Sequence, residues 1–260
     1  LAGASSMSSQ WAWVQAEVAS FARVVSYDRA GLGWSDASDR PGDARTVATE
    51  LHTLLHNARV PGPYVLVGHS LGGAHARVFA DMYRDEVAGM VLIDAANPEF
   101  WTRVEADALD KTRATIERTT WFPHLSRFGI LRVMNPAEEL AKNLPAQHRK
   151  AVEAIFPSVK HTVATRNDYQ EIAENSATMA QLRQIEPVGD LPLAVLTRTE
   201  PDDAYTLPQQ QIDAALAATS NRGSHHLVEN ADHFTIVTNE EHARTTAHVI
   251  KGLLERLDMS

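Results

Sequence analysis

A serine inside a glycine-rich hexapeptide is the residue whose type and spacing most clearly indicate chemistry. Residues 68–73 read Gly-His-Ser-Leu-Gly-Gly, so Ser70 has glycines two positions before it and two after it. Glycines at these positions let a strand and a following helix converge in a tight turn that presents the serine hydroxyl. The alternative is a serine that only caps a helix, whereas a phosphate loop is excluded because no Lys-Ser/Thr pair follows the glycines. We predict that Ser70 is a nucleophile and that the Leu71 N–H stabilises an oxyanion.

A nucleophilic serine needs a general base, and the base needs an acid that orients it. In a strand–turn–helix of this kind the expected chain order is serine, then acid, then histidine. Among 12 histidines, His233 follows the last predicted strand, in a loop that can return it to the serine. His69 and His75 are too close to Ser70 in sequence to return as a base. The remaining histidines near the C-terminus are interpreted as structural: His225, His226, His242 and His248.

The acid has two candidate positions. Asp94 ends an apolar strand, where a carboxylate is costly to bury unless a partner such as an imidazolium satisfies it. The other position follows the next predicted strand, where the acids are Glu200, Asp202 and Asp203. Alignment of that strand with the usual strand-and-turn pattern puts Pro201 where an acid belongs, so we favour Asp94. The alternative role for Asp94 is structural, as a helix cap or a partner of nearby backbone.

The elements that must position these residues alternate between continuous apolar runs and amphipathic helical patterns. This alternation is typical of a parallel sheet covered by helices on both faces. Strands are predicted at 22–27, 64–68, 90–95, 193–197 and 226–229, and helices at 11–21, 47–58, 71–83, 208–218 and 240–257. Asp43 or Thr46 is expected to cap the second helix. Residues 97–187 carry only helical segments divided by prolines, which predicts an α/β core at 1–96 and 188–260 with a helical cap at 97–187.

These motifs resemble those of α/β-hydrolases, and the resemblance covers essentially the whole chain. Residues 28–36 (DRAGLGWSD) are similar to the loop after the family's fourth strand, and residues 68–73 to its nucleophile elbow. Residues 231–234 (Ala-Asp-His-Phe) resemble its histidine loop, with Ala231 where many members carry glycine. The resemblance implies an α/β-hydrolase fold, with a mostly parallel sheet flanked by helices and a helical cap inserted after the sixth strand. In most members the acid follows the seventh strand, but the run through Asp94 looks like the lipase arrangement, in which it follows the sixth.

The resemblance implies a serine esterase or lipase-like hydrolase that cleaves carboxylic esters through an acyl-enzyme intermediate, without a cofactor. Ser70, His233 and Asp94 would form the catalytic triad. A serine at the nucleophile position disfavours dehalogenase and epoxide-hydrolase chemistry, in which family members use an aspartate there. The same triad would also support an amidase, a C–C bond hydrolase or a cofactor-free perhydrolase. A non-catalytic receptor that binds a small ligand under the cap is the alternative outside enzymes.

The resemblance also concerns the start of the chain. Residues 1–6 are similar to the segment that follows a His-Gly pair at the end of the family's third strand. This implies that Leu1 supplies the second oxyanion donor through its backbone N–H, with Ala2 as the next choice. It further predicts that the working enzyme extends N-terminal to Leu1.

The amino-acid composition of the chain limits the classes of molecule that it is expected to bind. The chain has 260 residues and a net charge of −9 from 24 basic and 33 acidic residues, and no Lys/Arg-rich run offsets it, which disfavours nucleic acid. It has no cysteine, no metal-binding motif and no apolar run long enough to span a bilayer. We expect a soluble, cytoplasmic protein, with targeting left open, that acts on a small-molecule ester with an apolar part. Residues 121–134 are apolar with interleaved Arg127 and Arg132, and could line an acyl pocket, pack the cap on the core or seek a surface.

Overall fold

The computed structural model of the chain describes residues 1–200 and 204–258. Its sheet has four parallel strands in the order β1-β2-β3-β4. One row across the sheet aligns Gly68, Leu92, Val195 and His225. The parallel sheet flanked by helices confirms the predicted fold class. The strands are β1 (Tyr64–His69), β2 (Val87–Ile93), β3 (Leu193–Arg198) and β4 (Gly223–Val228).

Helices form around the sheet and between β2 and β3. The helices are α1 (Ala12–Val18), α2 (Ala44–Asn57), α3 (Leu71–Met82), α4 (Phe100–Arg103), α5 (Ala106–Thr119), α6 (Phe122–Arg127), α7 (Ile130–Met134), α8 (Ala137–Ala141), α9 (Ala146–Ile155), α10 (Val159–Ile172), α11 (Ala177–Leu182), α12 (Thr206–Ala217), α13 (Thr235–Thr238) and α14 (Glu240–Asp258). Of the two proposed caps of α2, Asp43 is the cap residue, because its side chain accepts from the N–H groups of Arg45 and Thr46.

The core consists of two apolar layers separated by the sheet. Leu92 packs in the layer with α2 and α3, whereas its neighbours Val91 and Ile93 pack in the layer with α1 and α14. This alternation follows from the pleat, which points successive side chains to opposite faces. Because both faces are covered, the strands can be apolar throughout, as the sequence pattern indicated.

The segment between β2 and β3 is helical, running from α4 to α11. Helix α10 is its central element and contacts both α5 and α6. The indole N–H of Trp101 donates to the carbonyl of Ile172 at 3.2 Å, which ties α4 to the end of α10. The proposed domain boundaries at 96/97 and 187/188 stay a prediction. No helix within the described residues is both long and apolar enough to cross a bilayer.

The predicted strand at 22–27 is wrong. These residues take no part in the four-stranded sheet. A cavity of about 530 Å³, lined by Val24 and Val25 on one side and Val65 and Val67 on the other, lies between this segment and β1. A β-ladder needs its strands about 4.8 Å apart, so the segment cannot pair across this gap. The segment therefore has the side chains typical of a strand, but its backbone pairs with no strand of the described sheet.

Candidate active site

Ser70 lies at the turn between β1 and α3. Its backbone has φ 53° and ψ −125°, a region that costs a non-glycine residue conformational energy. The turn is tight: a Cβ on Gly68 would lie 2.5 Å from the carbonyl oxygen of Gly72. The strained backbone of Ser70 and the two glycines have the same cause. The serine side chain must project away from the end of the strand, and the helix must begin at the next residue. The predicted strand–turn–helix context is therefore present.

The structure brings Ser70, His233 and Asp94 into one hydrogen-bonded chain. His233 Nε2 lies 3.0 Å from the Ser70 hydroxyl, and its Nδ1 lies 2.5 Å from Oδ2 of Asp94. A carboxylate can only accept, so Nδ1 carries the proton and Nε2 is free to accept from the serine. Ser70 and His233 are 163 residues apart in the sequence, so the fold brings these hydrogen-bonded residues together. The arrangement has the geometry of nucleophile, base and orienting acid.

The competing acid position does not reach His233 in the part of the chain that is described. Glu200 is exposed, and its backbone N–H donates to the carbonyl of Ala231. Asp202 and Asp203, with Pro201, lie outside the described residues. Asp94 is thus the acid that the structure places against the imidazole.

Arg198, at the end of β3, is a further charged partner of Asp94. Its Nη1 donates to Oδ2 of Asp94 at 2.6 Å, and both side chains are at least nine-tenths buried. Burial acts to raise the pKa of Asp94, but the hydrogen bond from His233 and the charge of Arg198 outweigh it, so the pKa lies below its usual value. The Asp94 carboxyl therefore stays ionised. Sequence reasoning missed Arg198, although an arginine that closes an otherwise apolar buried strand is a signal of a buried anion.

A second carboxyl, that of Asp213, is buried nearby, and its pKa is shifted in the opposite direction to that of Asp94. Burial raises its pKa well above the usual value, and the negative charge of Asp94 adds to this. Its oxygens accept from Thr197 Oγ1 at 2.7 Å and from Gln209 Nε2 at 3.0 Å. Burial therefore favours the neutral form of Asp213, whereas the partners of Asp94 favour its ionised form.

His69, adjacent to Ser70, supports the histidine loop. Its Nε2 lies 2.7 Å from the backbone carbonyl of His233, to which it donates. Burial, with the neighbouring His233, lowers the pKa of His69 to about 3, so its ring is neutral. A neutral ring with Nε2 protonated fixes the backbone of His233 without competing for its proton.

The backbone N–H groups of Leu71 and Leu1, the two proposed oxyanion donors, have different surroundings. The Leu71 N–H lies in the first turn of α3, where a backbone N–H has no acceptor within its own helix. The backbone nitrogen of Leu1 instead donates to the carbonyl of Val67 at 2.6 Å, and Leu1 lines the other cavity, next to β1. The Leu1 N–H is thus bonded to the sheet edge, and its role as an oxyanion donor stays a prediction.

The segment after Leu1 is anchored over the site by Arg29. Its guanidinium donates to the carbonyls of Ala2 and Gly3 and forms a buried ion pair with Asp168 of α10 at 2.6 Å. The backbone N–H of Ser5 donates to the same carboxylate at 2.9 Å. Ala2, the second choice for the oxyanion donor, is fixed by this contact and does not line the cavity at Ser70.

Ser70 opens into a cavity of about 340 Å³ between the sheet edge and the helices of the insertion. Its walls are mostly apolar. The polar groups come from the hydrogen-bonded chain, from α5 and from further lining residues, which are Ser6, His69, Asn97, Tyr169, Tyr205 and Gln209. Such concave, mostly apolar sites suit small molecules. The apolar wall consists of Phe100, Trp101, Ile116, Ile172, Met179 and Phe234. Within residues 1–200 and 204–258, no three His, Asp or Glu side chains are grouped so that they could hold a metal ion.

The family comparison agrees with this geometry. The model of the alpha/beta hydrolase family matches residues 1–249. The chain belongs to the alpha/beta hydrolase family. As a member of it, the chain has the fold of a hydrolase, and what it hydrolyses must be argued from its site.

Relatives of this hydrolase among known proteins are similar over part of their length. An uncharacterized protein of Schizosaccharomyces pombe is 44% identical over 75 residues, which are 29% of this chain and 14% of that protein. YqjL of Bacillus subtilis, also uncharacterized, is 35% identical over 95 residues, 36% of this chain and 38% of YqjL. The chain thus spans well under half the length of these two relatives in the matched regions.

Solved structures resemble this hydrolase over nearly its whole length. A thermophilic esterase from Thermogutta terrifontis has a TM-score of 0.66 at 24% identity, covering 98% of this chain and 88% of the esterase. A haloalkane dehalogenase variant from Bradyrhizobium elkanii has a TM-score of 0.75 at 15% identity, covering 98% and 89%. At these identities the likeness shows the fold, which enzymes of both kinds share.

Proposed function

We propose that this hydrolase is a serine esterase, which cleaves carboxylic esters through an acyl-enzyme intermediate. The observation that carries the proposal is the hydrogen-bonded chain from Ser70 through His233 to the ionised Asp94. A hydroxyl is a poor nucleophile near neutral pH and needs a base to take its proton. His233 lies 3.0 Å from the Ser70 hydroxyl and is itself held by a buried carboxylate, so it can act as this base.

In the acylation step, Ser70 Oγ attacks the ester carbonyl carbon while His233 Nε2 takes its proton. The carbonyl electron pair moves to the oxygen, and the Leu71 N–H donates to the resulting oxyanion. The tetrahedral intermediate then collapses, the C–O bond to the alcohol breaks, and His233 protonates the departing oxygen. Asp94 stabilises the imidazolium that exists between these two proton transfers.

In the deacylation step, water replaces the alcohol. His233 takes a proton from the water as its oxygen attacks the acyl carbon, and returns a proton to Ser70 Oγ when the acyl–serine bond breaks. The products are the carboxylic acid and the free serine.

The cavity supports a small substrate with an apolar part. Its volume of about 340 Å³ is at the lower end of the range for ligand sites. Phe100, Trp101 and Phe234 provide aromatic walls, and Ile116 and Met179 provide aliphatic ones. We expect turnover to rise and then fall as the acyl chain of a series of esters is lengthened, because longer chains exceed the cavity.

The nucleophile favours acyl transfer over dehalogenation. The structural neighbours include an esterase and a haloalkane dehalogenase, so the fold alone leaves both chemistries open. Displacement of a halide by the dehalogenase route uses a carboxylate nucleophile, whereas the residue at the turn here is the hydroxyl of Ser70. The proposal for this chain is therefore ester hydrolysis.

A fluorophosphonate probe tests the proposal. We expect the probe to label Ser70, located by peptide mass spectrometry, and Ser70→Ala to lose both the label and ester turnover. The matched control is Ser6→Ala, since Ser6 lines the same cavity but its hydroxyl donates to the Ala4 carbonyl. Labelling of Ser6, or full ester turnover by Ser70→Ala, would contradict the proposal.

Product analysis separates the rival functions. An amidase or a C–C bond hydrolase would turn over amides or β-diketones faster than matched esters, and a perhydrolase would form peracid from peroxide. A small-ligand receptor would react once and retain its product. Rapid multiple turnover of esters, with the acid and the alcohol released in equal amounts, is the outcome expected of an esterase.

A further inference from the structure

Five large apolar side chains are exposed at the two ends of α6 and along α7. Val133 is 88% exposed and Phe128 is 78% exposed, values unusual for side chains of this size. Single exposed apolar residues are ordinary, but a group of them within 14 residues of sequence indicates an interaction surface. We call this group the cap patch; it consists of Trp121, Phe128, Ile130, Val133 and Met134.

The helices that carry the cap patch are anchored from their other side. Pro123, Ser126 and Leu131 are buried between the patch residues in sequence. The hydroxyl of Ser126 accepts from Thr162 of α10 at 3.1 Å, so α6 is tied to the centre of the insertion. Trp121 and Phe128 therefore flank a helix that is held against α10, and Leu131 is buried within α7 beside the three exposed patch residues of that helix.

Within the cap patch, the charge is opposite in sign to that of the whole chain. Residues 121–134, which span the patch, contain Arg127 and Arg132 and no acidic residue, in a chain whose net charge is −9; the nearest acids in sequence, Glu117, Glu138 and Glu139, lie outside this span. Both arginines are exposed, and neither has an ion-pair partner in the described residues. A cationic strip among apolar side chains complements an anionic surface, while the acidic remainder of the protein is repelled by it.

The cap patch is also close in sequence to the proposed substrate cavity. Thr115 and Ile116, in the last turns of α5, line that cavity together with Ser70. Trp121 follows Ile116 by only five residues, across the end of α5 and the start of α6. A surface that binds the cap patch would therefore contact the same part of the insertion that forms the cavity wall.

We propose that the cap patch docks the protein on an anionic phospholipid surface. Apolar side chains interleaved with arginines fit the boundary of a bilayer, where the rings and aliphatic groups enter the acyl region and the guanidinium groups bind phosphate. A protein partner would need an apolar face of matching shape, and the unpaired arginines favour a surface of dense negative charge. This docking does not depend on the proposed ester chemistry.

Vesicle flotation tests the proposal with the full chain. The protein is mixed at low salt with vesicles of phosphatidylcholine alone or of phosphatidylcholine containing phosphatidylglycerol, and the floated fraction is measured. We expect binding to the anionic vesicles and little to the neutral ones. Arg127→Gln with Arg132→Gln should weaken the binding by about fivefold per arginine. Phe128→Ser with Val133→Ser should reduce it to the level of neutral vesicles.

Two control variants test whether the effect is specific to the patch. Leu207→Ser removes an apolar side chain that is 63% exposed on α12, and Arg45→Gln removes an exposed arginine on α2. Both should float like the wild type. Equal binding to the two kinds of vesicle, or undiminished flotation of the double variants, would overturn the proposal. So would a dimer that Phe128→Ser with Val133→Ser dissociates while no vesicles are bound.

Ser70→Ala keeps this test independent of the proposed function. It should float like the wild type, since Ser70 lies outside the patch. If flotation succeeds and no ester is cleaved, only the esterase proposal fails. If soluble esters are cleaved and the protein does not float, only the docking proposal fails.

Discussion

Arg198 and His233 donate to the same oxygen, Oδ2 of Asp94, at 2.6 and 2.5 Å. The other carboxylate oxygen, Oδ1, is buried and has no hydrogen-bond partner in the described part of the chain. The orientation of the carboxylate is therefore set through one atom, by one permanent cation and one imidazole. We infer that Arg198 is a positioning residue, which keeps Asp94 ionised and aimed at the histidine.

Replacement of Arg198 by methionine should change the pH profile of ester turnover. Without the guanidinium, the negative charge of Asp94 acts on His233 alone and stabilises its protonated form. We expect the acidic limb of the kcat/KM profile to move to higher pH by on the order of one unit. The free energy of unfolding should fall by about 3 kcal/mol, because a buried anion loses its partner.

Arg198→Lys is the variant that separates charge from fold. A lysine keeps the positive charge but not the planar fork, so the acidic limb should return most of the way to its wild-type position. A purely structural arginine would lower stability in both variants and leave the pH profile of the folded enzyme unmoved.

Two buried carboxyls close to each other make a matched pair for testing the acid. Asp94→Asn should lower kcat by about 10³-fold to 10⁴-fold, because an amide cannot stabilise the imidazolium and favours the wrong tautomer. Asp213→Asn should cost little, since burial favours the neutral form of Asp213 and Asn keeps an acceptor for Thr197 or Gln209. Steady-state kinetics at one pH with a single ester is sufficient. Comparable losses in both variants would argue against the assignment of Asp94.

The parts of the site that can be predicted from sequence are those defined by short local patterns. The strand–turn–helix around Ser70 needs its glycines within four residues, and these are visible without knowledge of the fold. His233 is identifiable because it follows the last strand, and parallel strands end at one edge of a sheet. Asp94 is identifiable by the same argument, because the strand before it is readable as a buried apolar run.

What could not be predicted depends on contacts across long sequence separations. Arg198 and Asp94 are 104 residues apart, and although an arginine at the end of a buried strand indicates a buried anion, no local pattern identifies Asp94 as that anion. The segment 22–27 has the composition of a strand, but a strand exists only where a neighbour offers a ladder, and here a cavity takes that place. The direction of the Leu1 N–H depends likewise on the carbonyl of Val67, which a local motif does not specify.

Stability should decrease in mild acid because of buried neutral histidines, of which His161 is the best defined. Its Nδ1 accepts from the Gly33 N–H and its Nε2 donates to the Ser5 carbonyl, each at 3.1 Å, and burial lowers its pKa to about 4. The unfolded chain binds this proton near pH 6.5 and the folded one does not, so stability is lost as the pH falls from about 6.5 to about 4.

Denaturation by urea at a series of pH values measures this contribution. Well below pH 6.5, each such histidine adds about 1.4 kcal/mol per pH unit to the slope of unfolding free energy. His161→Gln should lower the slope of unfolding free energy against pH by the contribution of one bound proton. His56→Gln, at an exposed position on α2, should leave this slope unchanged. An unchanged slope in His161→Gln would mean that His161 is protonated in the folded protein.

Two helical glycines should respond to alanine with opposite signs. A Cβ on Gly72 would lie 2.2 Å from the Leu1 carbonyl oxygen and 2.6 Å from that of Ala2, both of them backbone atoms that cannot rotate away. Overpacking of this kind costs about 1–3 kcal/mol, which exceeds the gain of up to about 1 kcal/mol that alanine brings to a helix. A Cβ on Gly252, in α14, would meet nothing within 4 Å, so Gly252→Ala should stabilise by about 0.5–1 kcal/mol.

Urea midpoints at constant m-value report both changes in the free energy of unfolding. Gly72→Ala should in addition lose ester turnover because the start of α3 and the Leu71 N–H move. Stabilisation by Gly72→Ala with unchanged turnover would show that the N-terminal segment does not press on α3 as described.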